Sequence, residues 1–567
     1  MAIRLKAVDV AVIGLGAAGG VAVLPLARAG LKVAGIEAGT WMDPHRFRPD
    51  EIHNNVRGLL TSVQKANREI PTVRDGLQSP NRPRQSVHPM MNAIGGTSIH
   101  YWAQSWRLKP WDFKTRTEAQ KRYGPGSIPA GSTLEDWPIT YDDLEPYYDT
   151  VEREVGVSGK AGNIQGMIDP AGNVYEGPRQ REYPMPPLRG SGFCDRMADA
   201  ARQLGWKPFR APAAINSQEY RGRPGCAYHG FCSRGGCHVS AKNSTAVTTI
   251  PEALKTKNLT VFDRAQVTRI IAGADGRVTG VNYLRDGKEY FQPAQVVLLA
   301  SYTYENSRLL LLSKSKAYPD GLSNRHGQVG RHYFGHWSDG AIALFPFDIN
   351  IWYGTPAQGA TVDDWADDNY DHSGLGFIGG TSLHVHTEMH PIESAGMSTF
   401  GRAPAWGSRW KAFIRENAGR WVSAYLQTSS FPYESTFLDL DPAVRDPLGD
   451  PVCRITTSLR ENESRAVLFA QNKAEEWFHA AGAIDVIKAG ANGPAVSTHA
   501  YGGTRMGDHP ETSVVDGWGF SHEAPNLGIL GASVMGTSGA RNPTLTVQAL
   551  SWRTAEHLAK NWKSITG

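Results

Sequence analysis

The stretch Val8-Asp9-Val10-Ala11-Val12-Ile13-Gly14-Leu15-Gly16-Ala17-Ala18-Gly19 decides the fold. Val8 to Ile13 is a β-branched apolar run that ends on Gly14. Ala17 to Ala29 reads as a helix, and Lys32 to Ile36 is a second apolar run ending at Glu37. This is a β-α-β unit of the Rossmann type. Gly14 allows the tight turn, Gly16 lets backbone N–H groups approach a pyrophosphate, and Gly19 permits close packing of the helix. Glu37 stands where an acid takes the adenosine ribose hydroxyls, and Ala17, Ala18 and Ala38 complete this set of cofactor-binding positions. A bare glycine pattern is weak, but strand, helix and acid around it predict dinucleotide binding. FAD and NAD are not separated by it. Pro25 falls inside the predicted helix and should bend it, because its ring removes one backbone N–H.

With 567 residues, 40% of them hydrophobic, the chain can bury a large core and make roughly two to four domain-sized units. The net charge of +4 is spread over 59 basic and 55 acidic residues without long runs, which excludes the electrostatic footprint of a nucleic-acid binder. No long apolar segment predicts membrane insertion. Glycines break the first apolar stretch where a signal peptide would be continuous, so a cytoplasmic location is expected. Five cysteines do not make a disulfide framework in a chain of this length. The 16 tryptophans and 61 glycines fit a loop-rich enzyme with an aromatic-lined cavity.

Further along, Tyr141 to Val155 has helical spacing. Tyr175 to Pro212, with Pro184, Pro186 and Pro187, reads as an irregular connection between lobes. Val261 to Tyr283 alternates as a hairpin does around Asp275-Gly276, and Val296 to Ala300 is a short buried strand. Phe345 to Gln427 predicts loops and strands around a site. Leu527 to Lys560 predicts a strand, a glycine-rich turn and a helix from near Thr544.

Two carboxy-terminal segments, Ser497-Thr498-His499-Ala500-Tyr501-Gly502-Gly503-Thr504-Arg505-Met506-Gly507 and Ala540-Arg541-Asn542-Pro543-Thr544-Leu545-Thr546, resemble signatures of glucose-methanol-choline (GMC) oxidoreductases, flavoproteins that oxidise alcohols. Gly95 to His100, Asp136 to Leu144 and Val296 to Leu311 extend the resemblance over nearly the whole chain. It is closest to bacterial sugar dehydrogenases (glucose, gluconate, fructose and glucoside 3-dehydrogenases) and pyranose oxidases. The resemblance implies an α/β fold: a discontinuous Rossmann-type FAD-binding domain from residues 1–45, 215–340 and 490–567, and an α+β substrate-binding domain from 46–214 and 341–489. Segment 93–106 would contact the flavin.

The resemblance also implies roles. His499 takes the position of the family's base, and a neutral imidazole suits that task because its unperturbed pKa of about 6.5 lies near working pH. Asn542 falls where a second His or Asn orients the substrate hydroxyl. Gly95, Gly96, Thr97, Ser98 and His100 would lie near the isoalloxazine ring, with a covalent bond through His100 left open. Val267 resembles the backbone contact to adenine, and Ala300, Ala532, Ser533, Pro543 and Thr544 are further flavin contacts. Gly531 replaces the family's usual Asp before Ala532 and Ser533.

Cys226, Cys232 and Cys237 crowd into twelve residues. Their spacing resembles the segment that holds a [3Fe–4S] cluster in iron–sulfur sugar dehydrogenases, which pass electrons to a cytochrome. His229 stands where many relatives have a fourth cysteine. Zinc held with His229 or His238, or no metal at all, are the competing readings. His384, His386, Glu388 and His390 are expected in the substrate loop, with a metal site as the alternative; Asp508 and His509 are expected in a surface turn. The expected activity is oxidation of a sugar or glycoside to a keto sugar or lactone, with electrons passing to a cytochrome- or quinone-type acceptor. A small chaperone-like subunit is an expected partner, and export bound to it is the alternative to a cytoplasmic location. An oxidase that makes hydrogen peroxide and a non-redox flavoprotein are the alternative functions.

Overall fold

The computed structural model describes residues 2–53, 70–82, 90–233, 235–338, 340–349, 352–386, 390–392, 395, 401–491 and 497–567. Its larger sheet runs in the order Leu259–Phe262, Val33–Ile36, Val8–Ile13, Lys288–Leu299, Val278–Arg285 and Ala265–Ala272. Val8–Ile13 has parallel partners on both sides, Val10 opposite Val33 and Val296 opposite Val10. Both of its edges are therefore paired, and with its faces packed into the core Val10, Ala11 and Val12 are wholly buried, which is why the run is continuously apolar. The twelve-residue strand Lys288–Leu299 does two jobs. Its first half pairs antiparallel with the Val278–Arg285 arm of the hairpin, and its second half runs parallel to Val8–Ile13 and Leu527–Ile529.

The helix Gly19–Arg28 follows the glycine turn and continues through Pro25. It packs on the helix Thr544–Lys560, which in turn packs on Tyr141–Val151. Tyr141, Leu144, Tyr148 and Val151 share one core with Val10 and Leu545, and the Tyr148 hydroxyl meets Thr546 Oγ1 at 2.8 Å. The apolar face of Tyr141–Val151 is thus turned to the Thr544–Lys560 helix.

A second sheet of six antiparallel strands has the order Asp485–Lys488, Ala341–Leu344, Trp421–Thr428, Thr381–His386, Ala360–Val362, Pro208–Arg210. Leu383, Val385, Val422, Ala424 and Leu426 face the helices Glu461–Ala480 and Gly192–Gln203, and Trp477 Nε1 donates to the Met197 carbonyl at 2.7 Å. By the period of two, Ser382, His384, Tyr425 and Gln427 face the other way. The expected irregular connection over Tyr175 to Pro212 is corrected here, because the prolines there are followed by a full helix. Ser191 caps it by accepting from the Cys194 N–H, and Phe193, Met197, Ala200 and Ala201 form its buried stripe. Among the described residues no helix is long and apolar enough to cross a membrane.

Candidate active site

A cavity of about 280 Å³ runs between the glycine turn and the carboxy-terminal signatures. Of the residues expected to bind cofactor, Gly14, Gly16, Ala17, Ala18, Glu37, Ala38, Gly96, Thr97, Ser98, Val267, Ala300, Ala532, Pro543 and Thr544 line it, and His499 stands in its wall. Gly19, Gly95, His100, Ser533 and Asn542 do not. A Cβ on Gly19 would lie 2.0 Å from the Gly14 carbonyl oxygen, so Gly19 serves helix packing. Ser533 is buried and its hydroxyl accepts from Asn306 Nδ2 at 2.9 Å. His100 is buried as well, and Tyr101 reaches the wall in its place.

The fit of this wall to a dinucleotide rests on what it leaves out. Gly14 has φ of +88°, and a Cβ there would meet the Ala300 carbonyl oxygen at 2.6 Å; a Cβ on Gly96, at φ of +54°, would meet Gly16 Cα at 2.9 Å. The two glycine segments face each other across a space that any side chain would fill. Glu37 is fixed at the wall by its backbone partners, with Oε2 accepting the Leu15 N–H and Oε1 the Gly39 N–H, each at 2.9 Å. The helices beginning at Gly19 and Thr544 both start at the cavity with no acid in their first turns, which leaves their positive ends available to an anion. These features accommodate the pyrophosphate and adenosine of FAD.

At the other end, His499 precedes the short strand Ala500–Tyr501, which pairs antiparallel with Phe334–Gly335. The next position pairs His499 with His336, whose backbone N–H donates to the His499 carbonyl at 3.2 Å. The two rings meet edge to face at 5.3 Å, with Nδ1 to Nδ1 at 3.1 Å. Asn542 Nδ2 lies 3.3 Å from His499 Nε2, and Trp106 Nε1 donates to Asn542 Oδ1 at 2.8 Å. Burial pushes the His499 imidazole down to about 4, and burial with the neighbouring His499 holds His336 well below the usual histidine range. Both are neutral at ordinary pH.

The Asn542 loop is anchored by charge. Arg541 donates to both carboxylate oxygens of Asp363 at 3.2 and 2.8 Å, its guanidinium lies 5.6 Å from the centre of the Trp106 ring, and Lys109 pairs with Asp367 at 3.2 Å. The outward row of the six-stranded sheet approaches the same region, with Trp102 edge-on to Tyr425 and Gln104 in contact with His384. His384 is a buried strand residue whose Nδ1 meets Thr361 Oγ1 at 2.6 Å. His390 packs on Phe231 at 5.5 Å; Glu388 and the His386 side chain lie outside the described residues. Asp508 and His509 occupy an exposed turn, as expected.

The cysteine loop gives a different result. Cys226, Cys232 and Cys237 form no disulfide, and among the described residues no three His, Cys, Asp or Glu side chains converge to hold a metal ion. Cys232 Sγ turns to the Gly230 carbonyl at 3.4 Å and lies 3.9 Å from His229 Nδ1, while Cys226 Sγ accepts the Tyr228 N–H at 3.4 Å. Burial pushes the Cys226 thiol up. Neither the expected zinc ligand set nor the iron–sulfur one is seen assembled among the described residues. The loop does touch the flavin-side segment, through Trp102 Nε1 donating to Ser233 Oγ at 3.1 Å.

His336, Trp106 and Tyr501 are the residues that sequence reasoning passes over. His336 lies in the run Tyr333-Phe334-Gly335-His336-Trp337, whose aromatic density is its one local signal.

A Rossmann-type sheet, a glycine cradle and a neutral histidine at the far end of one cavity define a flavin-dependent alcohol oxidoreductase. Residues 131–337 and 432–551 match the amino- and carboxy-terminal models of GMC oxidoreductase. The chain belongs to the GMC oxidoreductase family, and it is an FAD-dependent oxidoreductase acting on CH–OH groups. It is 30% identical to the gluconate 2-dehydrogenase flavoprotein of Pantoea cypripedii, over 99% of this chain and 94% of that one. It is 26% identical to the fructose dehydrogenase large subunit of Gluconobacter japonicus, over 98% of each. The fold is also that of the pyridoxine 4-oxidase from Mesorbium loti, with a TM-score of 0.61 at 15% identity over 97% of this chain and 99% of that one.

Proposed function

We propose that this chain oxidises a hydroxyl of a sugar or glycoside to a keto sugar or lactone, with His499 as the base. The observation that carries the proposal is the meeting of His499 Nε2 and the Asn542 amide at 3.3 Å, at the opposite end of the cavity from the glycine turn. A neutral His499 can take the hydroxyl proton at Nε2. The Asn542 amide has two N–H groups, and with its oxygen tied to Trp106 it can turn one toward the substrate oxygen as negative charge develops there. FAD, when bound, supplies the acceptor for the hydride released from the carbon. Gly14, Gly16 and Gly96 leave room for its backbone-bound phosphates, and Glu37 would take its ribose.

The relatives named as dehydrogenases support an acceptor of the cytochrome or quinone type, and the words flavoprotein and large subunit in their names support a partner subunit for this chain. The test is an anaerobic panel of D-glucose, D-gluconate, D-fructose and methyl glucosides, followed by bleaching of the flavin absorbance. Bleaching by a member of the panel is expected; bleaching by simple aliphatic alcohols alone would contradict the proposal. Peroxide formed in equal amount to product in air would replace the dehydrogenase reading by the oxidase one. Iron and acid-labile sulfide, assayed per chain, decide whether Cys226, Cys232 and Cys237 carry the expected [3Fe–4S] cluster or no metal.

A further inference from the structure

We infer that His336 is a positioning residue that holds the His499 imidazole in the one tautomer whose Nε2 has a lone pair for the substrate hydroxyl. The inference rests on the reading of His499 as the base. Its ground is a hydrogen-bonded chain whose two ends have fixed polarity. At one end the Trp106 indole N–H can only donate, and it donates to Asn542 Oδ1 at 2.8 Å. That turns the Asn542 NH₂ group toward His499 Nε2, so Nε2 must accept. At the other end the Gly539 carbonyl can only accept, 2.9 Å from His336 Nε2. His336 therefore carries its proton on Nε2 and presents a bare Nδ1. That nitrogen lies 3.1 Å from His499 Nδ1, and two bare nitrogens would repel, so His499 Nδ1 carries the proton and donates it. Both ends force the same answer for His499.

The backbone holds the pair in place. His336 and His499 are cross-strand neighbours beyond the Gly335–Ala500 pair, and the His336 N–H donates to the His499 carbonyl at 3.2 Å. The other titratable group facing His336 is Tyr501, on the same ribbon. Its hydroxyl oxygen lies 3.2 Å from His336 Nδ1 and 3.3 Å from the Arg541 carbonyl, to which its one proton can be donated. The Arg541 guanidinium is turned away to Asp363. When His499 takes the substrate proton at Nε2, its Nδ1–H···Nδ1 bond to His336 becomes charge-assisted, so the contact strengthens as the reaction proceeds. Without His336, only the Asn542 amide is left to keep the proton off Nε2, and it gives up that constraint when it turns toward the substrate oxygen.

The test compares His336→Phe, which removes the acceptor, with His336→Asn, whose Oδ1 can stand near the place of Nδ1. With the best member of the sugar panel, anaerobic flavin reduction in His336→Phe should fall on the order of 10²-fold. The fall should be the same at every pH above the acid limb, because a tautomer ratio does not depend on pH. FAD content and substrate affinity should hold, and His336→Asn should recover most of the rate. An unchanged plateau with only the acid limb moved would overturn the inference, since His336 would then tune the pKa alone. Nitrogen-15 NMR of histidine-labelled wild-type protein reads the tautomer without turnover and needs no variant to fold. His499 Nδ1 protonated with Nε2 bare is expected, and Nε2 protonated at neutral pH would overturn the inference. Failure of the base reading is distinct: His499→Ala would then reduce flavin normally, whatever the NMR shows.

Discussion

The glycine turn and the His499 corner stand at two ends of one cavity and are built in opposite ways. The first is backbone: glycines of two segments whose value is the absence of side chains, with Gly14 under the Ala300 carbonyl and Gly96 against Gly16. The second is side chain: Trp106, His336, His499 and Asn542 come from four distant stretches and meet through single hydrogen bonds. Shape holds the cofactor at one end, and proton placement does chemistry at the other. Damage at either end should leave the other working.

The largest effect should come from the backbone end. In Gly14→Ala, left-handed backbone costs about 1–2 kcal/mol and the Cβ meets the Ala300 carbonyl. Flavin absorbance per purified chain should drop to about a tenth or less, with the circular dichroism spectrum retained. A full flavin content would break the comparison. Asn542→Ala should instead keep its flavin and lose about 10²-fold in the rate of flavin reduction, the scale for removing one donor to a developing oxyanion. Loss of flavin in that variant would show that the two ends are not separable.

Acid should act on the side-chain end alone. The competent His499 is neutral and burial lowers its pKa to about 4, so activity should hold from neutral pH downward and fall as pH drops through that value. A fall centred near 6.5 would mean an ordinary, solvated histidine. Trp106→Phe gives the smallest change. It removes one neutral hydrogen bond worth about 1 kcal/mol, so flavin reduction should slow about five-fold.

The same contrast governs what the sequence discloses. The glycine turn is local, with its strand, turn, helix and acid within thirty residues, so Gly14, Gly16 and Glu37 are legible by spacing. His499 and Asn542 are legible through their signature segments. His336 and Trp106 are not, since their roles arise from the pairing of Phe334–Gly335 with Ala500–Tyr501 and from a contact spanning 436 residues. The helix Gly192–Gln203 was hidden by its neighbours, although the Ser191 cap and the Phe193, Met197, Ala200 and Ala201 spacing mark it. Tyr141–Val151 was legible as a helix but not as a partner of Thr544–Lys560, because an apolar face does not name what it packs against. The cysteine loop shows the reverse case. Its spacing is eloquent in sequence, and in the structure the Cys226 and Cys232 thiols lie against nearby carbonyl, amide and imidazole groups.

The most direct test is anaerobic stopped-flow reduction of His499→Ala by a sugar that bleaches the wild-type flavin. The account predicts full FAD content and a bleaching rate lowered by about 10²- to 10⁴-fold, the usual contribution of a general base. Bleaching at the wild-type rate would contradict it.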